Sequence, residues 1–454
     1  MKIKIGIIGG GFSGAMLARH LLNSKQNLEI YIFNNDAKFG RGIAYQAQID
    51  SLLLNVPAGK MSAYSNQPDH FVDWLNKENK ESKDEFDQKF VARNEYGCYL
   101  SEIWEETKKI AALSGHIIHP VIGKALQIIP KDGALELQTH ELNLSLDFCV
   151  LACGNSLPTR PKTIAEKNFN SKRYSNNPWH IKVEAIQPDK EVLILGAGLT
   201  MVDAIQVLRA NGFKGKVNCI SPHGFNILPY EKPTEELPSE LKFINIPIRL
   251  SEILKLFHQE MRLYPTKIAD LVALLRAKSG AIWSNFTHEE RDFFMRHLRH
   301  KWGVARHRIP PESYAILQDE IKNKSLQIHA GKITAMEFQE SLVFVEFQER
   351  NSNKKRHLCV QHVINCTGPA SDITIPNGGI LNSLCQNDII QADPLFLGVK
   401  TDVNNYQVYS KENYPIYALG NLLKGELWET TAINELRIQC EELAQVLINT
   451  FNKQ

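Results

Sequence analysis

Apolar and polar positions follow three rhythms along this chain. Residues 3–8 ("IKIGII") form a short β-branched run, which predicts a strand buried on both faces. Glycines follow at once, then Ala15, Leu17, Ala18, Leu21 and Leu22 at helical spacing, then a second strand at "LEIYIF". The same succession returns at "EVLILGAGLTMVDAIQVLRANG" and "KVNCIS". Later in each half the pattern changes to the two-residue period of a β-meander, in "ALELQTHELNLSL" and "SLVFVEFQERN". Each meander leads to a buried strand closing on "LACG" or "NCTG", with Gly154 and Gly368 at the ends. The stretch from about 250 to 312 is different: "SEILKLFHQEMRLYP", "TKIADLVALLRAKSG" and "THEERDFFMRHLRHKWGVARHRIPP" keep helical spacing, the last opening on a threonine cap.

Such internal similarity predicts two related domains. The expected fold class is α/β, with two Rossmann-type dinucleotide-binding domains of the three-layer ββα form and a helical insertion. The expected boundaries are 1–160 for the first part of the first domain, 161–190 for a linker, 191–368 for the second domain with its insertion at about 250–312, and 369–454 for the second part of the first domain. A chain of 454 residues can bury the cores this needs. A net charge of +2 gives no global pull towards nucleic acid or an anionic membrane. No apolar run approaches the roughly 20 residues that span a bilayer. The eight scattered cysteines include no C-x-x-C pair and no metal-ligand spacing. A cytoplasmic location is expected, with no metal site.

Two lysines, an apolar run and small residues also make the opening resemble a secretory signal peptide. The strand–loop–helix–strand context decides for a nucleotide site. Gly9 permits a tight turn, Gly11 leaves room for a pyrophosphate, and Gly14 lets the helix beginning near Ser13 pack on the strand. Where a ribose-binding carboxylate usually ends the second strand stands Asn34, with Asp36 as the lesser alternative. In the second loop Gly196 and Gly198 keep the first two positions, Thr200 follows, and Met201 takes the place of the third glycine. That helix must then sit farther from its strand, with Asp203 on its inner turns. A structural loop that no longer binds nucleotide stays an alternative. Ser221, Pro222 and His223 end the next strand, so NADH cannot be told from NADPH there. Two dinucleotide sites on one chain imply FAD and NAD(P)H, with a hydride passing between them.

The stretches "GRGIAYQAQIDSLLLNVPAGKMSAYSNQPDHFVDWL", "YGCYL", "LILGAGLTMVDA" and "LGNLLKGELWETTAINELRIQ" resemble a bacterial group of FAD/NAD(P)-binding proteins. That group includes FAD-dependent urate hydroxylases and is distantly similar to flavin-containing, Baeyer–Villiger and N-hydroxylating monooxygenases. The resemblance implies that the segment from Gly40 to Ser62 runs past the flavin, with Arg41 a phosphate partner and Asn55 and Met61 near the isoalloxazine. It implies that the last strand of the FAD sheet ends at Gly420, with Asn421 where related flavoproteins place Asp. A helix starting near Thr430 and Thr431 then aims its amides at the flavin, with Glu426 and Trp428 just before it. "FNSKRYSNNPW" keeps the spacing of the F-x-G-x-x-x-H-x-x-x-W monooxygenase fingerprint at Phe169 and Trp179, but Ser171 and Ser175 replace its Gly and His.

The expected activity is that of an NAD(P)H-dependent flavin monooxygenase. Its partners are molecular oxygen and a small, anionic, nitrogen-containing substrate. Catalysis is centred on the flavin, with Asn55, Met61, Arg299 and Arg306 as candidate protein groups. The basic run Arg296, His297, Arg299, His300, Lys301, Arg306, His307 and Arg308 is either a solvated face or the source of arginines that grip the anion. The alternatives are a flavin oxidase or reductase without oxygen insertion, and a flavin-binding regulatory or scaffold protein. Oligomeric state is not legible.

Overall fold

The computed structural model describes residues 2–46, 49–79, 86–224, 227–232, 237–376 and 378–453. Two sheets organise it. The first runs in the order β17 (Ile416–Ala418), β7 (Phe148–Leu151), β1 (Ile3–Ile8), β2 (Leu28–Asn34) and β3 (Ile117–Ile122), all parallel. Its central strands are apolar on both faces because both faces are covered, as the unbroken run at residues 3–8 predicts. The second runs β15 (Lys355–Val360), β14 (Val343–Glu349), β13 (Leu326–Phe338), β10 (Val217–Ser221), β9 (Val192–Leu195), β16 (His362–Asn365) and β8 (Tyr174–Ser175). Its parallel half is β8 to β13, and β13 to β15 form an antiparallel meander. In the first half of the chain the meander is a separate three-stranded sheet, β4 (Gln127–Lys131), β5 (Ala134–Gln138) and β6 (Asn143–Leu146). A two-stranded pair, β11 (Leu228–Pro229) with β12 (Arg308–Ile309), completes the strands.

The stretch 161–190, expected as a linker, contributes β8 as an edge strand of the second sheet. There Ser175 Oγ lies 2.8 Å from Nε2 of His362. Ser175, which stands where the fingerprint has histidine, is thus paired with an imidazole from β16.

Thirteen helices are described. They are α1 (Phe12–Leu21), α2 (His70–Asn79), α3 (Arg93–Leu113), α4 (Leu199–Ala210), α5 (Leu250–Leu263), α6 (Ile268–Ala277), α7 (Ser279–Asn285), α8 (His288–Phe293), α9 (Arg299–Arg306), α10 (Pro311–Lys322), α11 (Ile380–Gln386), α12 (Lys424–Leu427) and α13 (Ile433–Phe451). α5 to α9 form the helical insertion. Thr287 caps α8 as its sequence predicts, its hydroxyl accepting from Glu290 N at 3.3 Å while the Glu290 carboxylate accepts from Thr287 N at 3.0 Å. The basic stretch is not one helix, because a π-helical turn over Phe294–Leu298 separates α8 from α9. After Arg306 the chain extends into β12, so Arg308 sits on a strand.

Candidate functional site

Both glycine loops use the same device. Gly9 has φ +119°, and a Cβ there would lie 2.0 Å from the Ala152 carbonyl oxygen just beyond β7. Gly196 has φ +98°, and a Cβ there would lie 2.5 Å from the Cys366 carbonyl oxygen just beyond β16. Each loop therefore requires glycine at its first position because the crossing strand comes too close for a side chain. Gly11 and Gly198 then cap α1 and α4 with extended backbone. Gly11 faces Cα of Gly42, which a Cβ would meet at 3.2 Å, and Gly198 faces open space. The third positions differ. A Cβ on Gly14 would sit 1.9 Å from the Gly9 carbonyl oxygen, whereas Met201 fills its place in the second module and is fully buried in that core.

The first loop is a cradle that fits a dinucleotide diphosphate. It has glycine backbone on both sides, at Gly11 and Gly42, and the N-terminus of α1 beneath it. Ser13 lies on the first turn of α1, and its hydroxyl is 3.9 Å from where a Gly420 Cβ would stand. This brings the turn after β17 against the loop; the strand expected to end at Gly420 ends at Ala418. Gly420 N donates to Gln439 of α13 at 3.1 Å, and Asn421 is buried beside it. Gly154 and Gly368 close β7 and β16 in left-handed backbone, with φ +67° and +93°.

Three expected residues are placed otherwise. The Asn34 amide turns onto Asp36, donating to its carbonyl at 3.0 Å and its carboxylate at 3.1 Å, so the pair shapes the loop after β2. Arg41 points at α3, its Nε donating to Ser101 Oγ at 2.7 Å. Arg299 is exposed and borders neither of the cavities described below.

Asn55, Met61, Arg306 and Thr431 meet around one cavity of about 340 Å³. Its walls come from the Gly40–Ser62 stretch, from Leu199 at the start of α4, from the insertion, and from residues 431–434. Ala47 and Gln48 of that stretch lie outside the described residues. The helix expected near Thr430 starts at Ile433, with α12 and an irregular turn before it. Its first turn still borders the cavity, and Thr430 is buried with its hydroxyl unpartnered among the described residues. Thr200, next to Leu199, lies on the first turn of α4.

Five cationic side chains border this cavity, Lys60, Arg93, Arg276, Arg306 and Arg308, against two acidic ones, Glu231 and Asp270. Two are firmly paired. Arg93 meets Asp203 through two hydrogen bonds of 2.8 and 3.0 Å, and Arg276 meets Glu435 at 2.5 Å. Arg306 and Arg308 meet no carboxylate so closely, although Arg308 donates from Nε to Ala305 O at 3.0 Å and from Nη1 to Pro229 O at 3.4 Å. Arg306 approaches Glu429 only to 3.5 Å, although its side chain is 14% exposed. Arg308, 9% exposed, approaches Glu231 to 3.9 Å. Nε of Arg306 and Nη2 of Arg308 find no hydrogen-bond partner among the described residues. Burial lowers both guanidinium pKa values, outweighing the acidic neighbours. A buried guanidinium N–H without an acceptor can be satisfied by an anion.

The insertion roofs this site by docking on the segment before α13. Trp283 Nε1 donates to Gly425 O at 2.8 Å and Trp302 Nε1 to Glu429 at 2.8 Å. Glu426 approaches Arg291 to 3.8 Å, and burial pushes its carboxyl up. Trp428 faces a second, apolar cavity in the insertion. Sequence reasoning missed the Arg93–Asp203 pair, whose members stand 110 positions apart. It had only Asp203 on an inner turn as a signal. Trp179, the fingerprint's last aromatic, covers that pair with its ring 5.6 Å from the Arg93 guanidinium.

Against known proteins, a family model described as FAD-NAD(P)-binding matches residues 6–156, the part that holds the first glycine loop. No curated protein matches the chain. Among solved structures, the ornithine N-hydroxylase of Kutzneria sp. 744 superposes with a TM-score of 0.64 at 14% identity, covering 100% of both chains. The L-lysine 6-monooxygenase of Pseudomonas syringae gives 0.66 at 15%, covering 100% of this chain and 99% of its own. The thioredoxin reductase of T. acidophilum gives 0.54 at 12%, covering 99% and 98%. These likenesses establish an α/β architecture of paired Rossmann-type modules, shared by oxygenases and disulfide reductases alike.

Proposed function

We propose that the protein is a flavin-dependent, NAD(P)H-using monooxygenase that hydroxylates a small, anionic, nitrogen-bearing substrate. One observation carries this reading. Arg306 and Arg308, each with one buried N–H group that finds no acceptor among the described residues, share a cavity with Asn55, Met61 and Thr431 from the first module and Leu199 from the second. The two glycine loops fit FAD and NAD(P)H respectively. Bound there, the two cofactors would supply hydride transfer and oxygen activation.

The protein's own part is binding, orientation and exclusion of water. The loop Gly9–Gly14 with Ser13 and Gly420 would hold the FAD diphosphate, and Gly196, Gly198 and Thr200 the nicotinamide dinucleotide. The first turn of α13, which borders the cavity, would present its amides to a bound flavin and favour negative charge there. Arg306 and Arg308 orient the substrate's anionic group by charge-assisted hydrogen bonds. The insertion covers the cavity and keeps solvent from the reacting centre. The solved N-hydroxylases of ornithine and lysine support a nitrogen-bearing substrate by likeness of fold alone.

Disulfide reduction is less well supported. The sequence has no C-x-x-C pair, and burial pushes the Cys153 thiol up to about 12, so it stays protonated at neutral pH. The test is NAD(P)H oxidation under ¹⁸O₂ with a panel of anionic amines and purines. Monooxygenation places one labelled oxygen in the product. Stoichiometric hydrogen peroxide with no labelled product establishes the oxidase reading, and absence of flavin reduction establishes the scaffold reading.

A further inference from the structure

Beside the cationic cavity lies a larger one of about 470 Å³, enclosed by the helices of the insertion. Its wall is apolar, with Leu250, Phe257, Met261, Ile282, Phe286 and Leu298 among its residues. Three of the chain's six tryptophans, Trp283, Trp302 and Trp428, also face it. Well-packed cores do not leave such space, which falls in the range of sites that take small organic ligands, roughly 300–1,000 Å³. The two cavities share a wall, because Val272 of α6 and Ala305 of α9 border both. The next residue along, Arg306, faces the cationic side.

Two irregularities lie on the wall. The π turn Phe294–Leu298 supplies Phe294 and Leu298, and π turns often mark functional positions. Trp428 is held at φ +61° and ψ −64°, outside the regions a bulky residue prefers. Stacking on Trp283 at 4.9 Å and an edge contact with Phe294 at 5.0 Å keep it there. Strain of this kind persists where the surroundings impose it, commonly at ligand clamps.

We propose that the apolar cavity is the subsite for the hydrocarbon body of the substrate. The substrate is then an amphiphilic carboxylate, its head on Arg306 and Arg308 and its alkyl chain passing Ala305 into the insertion. This rests on the reading of the cationic cavity as the substrate site and adds the substrate class. The two cavities adjoin at Val272 and Ala305, which argues for one occupant reaching from one into the other, and the cationic end sets its polarity.

The experiment is calorimetric titration of the protein as purified with straight-chain carboxylates from butanoate to decanoate, flavin content being measured separately by absorbance. Affinity is expected to rise about four-fold per added methylene, the equivalent of ~0.8 kcal/mol. Arg306→Ala should weaken every length by a similar factor and leave the slope intact. Met261→Trp, at a residue that borders the apolar cavity and not the cationic one, should leave butanoate unchanged and flatten the slope. Leu298→Phe repeats that test should the tryptophan variant misfold. Tryptophan emission should shift with decanoate and not with butanoate. Affinity independent of chain length overturns the inference. So does 1-decanol binding as tightly as decanoate with no response to Arg306→Ala, since the apolar cavity is then unconnected to the head. A yellow protein without the slope rejects this inference and leaves the proposed function standing. A colourless protein with the slope rejects the flavin reading and leaves the cavity.

Discussion

Replacing Asp203 with alanine would leave the Arg93 guanidinium buried against the second module with its strongest partner gone. The side chains of the pair are 7% and 15% exposed, and both Nη atoms donate to the carboxylate. Only the Nε bond to Leu53 O at 3.0 Å and the Trp179 ring would remain. Removing one partner of a buried, bidentate pair costs about 3–5 kcal/mol, mostly as the desolvation of the stranded charge. Arg93 begins α3 of the first module and Asp203 lies in α4 of the second, so the cost falls on the contact between them. In a chain with two cores a single unfolding free energy is ill defined, and local opening is the better observable. Amide exchange in peptides covering 199–210 and 93–113 should quicken by roughly two to three and a half orders of magnitude, each 1.36 kcal/mol being tenfold.

A double-mutant cycle isolates the pair. Arg93→Met and Asp203→Leu should each be costly alone, and the double variant should recover part of the loss because neither charge is then stranded. Additivity of the two within about 0.5 kcal/mol would refute the reasoning, since independent sites add and a coupled pair does not.

Other outcomes follow from the same geometry. Gly11→Val should abolish FAD retention, read as loss of absorbance near 450 nm in a protein whose circular dichroism is unchanged, because its side chain enters the gap facing Gly42; stoichiometric FAD in that variant would sink the first-loop assignment. Gly198→Val meets no protein atom within 4 Å, so it should fold, keep FAD and slow anaerobic reduction by NAD(P)H; unchanged reduction would make that loop structural. Alanine at Arg306 or Arg308 should cost substrate stimulation about 2–5 kcal/mol, whereas alanine at exposed Arg296 or Arg299 should stay within about 0.5 kcal/mol; equal losses at all four would contradict the cavity geometry. Burial, with Arg173 adding repulsion, takes the His362 pKa from its ordinary 6.5 to about 4, so the fold holds it neutral. The stability this contributes is complete above pH 6.5 and falls away by roughly 3 kcal/mol as pH drops towards 4; His362→Gln should flatten that acid limb of the thermal-stability profile, and an unchanged limb would place the titration elsewhere.

Backbone geometry made the nucleotide loops legible. Gly9 and Gly196 each lie where a crossing strand leaves no room for a Cβ, and only glycine satisfies that, so the constraint is written in the letters. The repeated strand–loop–helix pattern was equally plain, since buried parallel strands need unbroken apolar runs. What escaped the sequence was decided by tertiary contact. β8 is two residues long and exists because β16 offers it an edge, so no periodicity could announce it. Asn34 has the composition of a ribose partner, but Asp36 two residues on takes up its amide. The Arg93–Asp203 pair joins two modules, and nothing local marks either member.

The basic stretch shows the limit most sharply. Arg299 and Arg306 are seven residues apart on one helix, which places them within about 20° of the same face. A helical wheel would give them the same fate, yet Arg299 is exposed and Arg306 borders the cationic cavity. Depth along the axis separates them, not phase. The start of α9 follows the π turn at the surface, and its end runs beneath Glu429, which also accepts from Trp302. Trp302 and Ala305 face the apolar cavity, and Ala305 and Arg306 face the cationic one, so the last turn of α9 lies where the two meet. None of this belongs to the glycine loops. On the proposed reading, the arginines that would meet the substrate therefore lie in and just after the insertion's last helix, apart from the loops that would hold the cofactors.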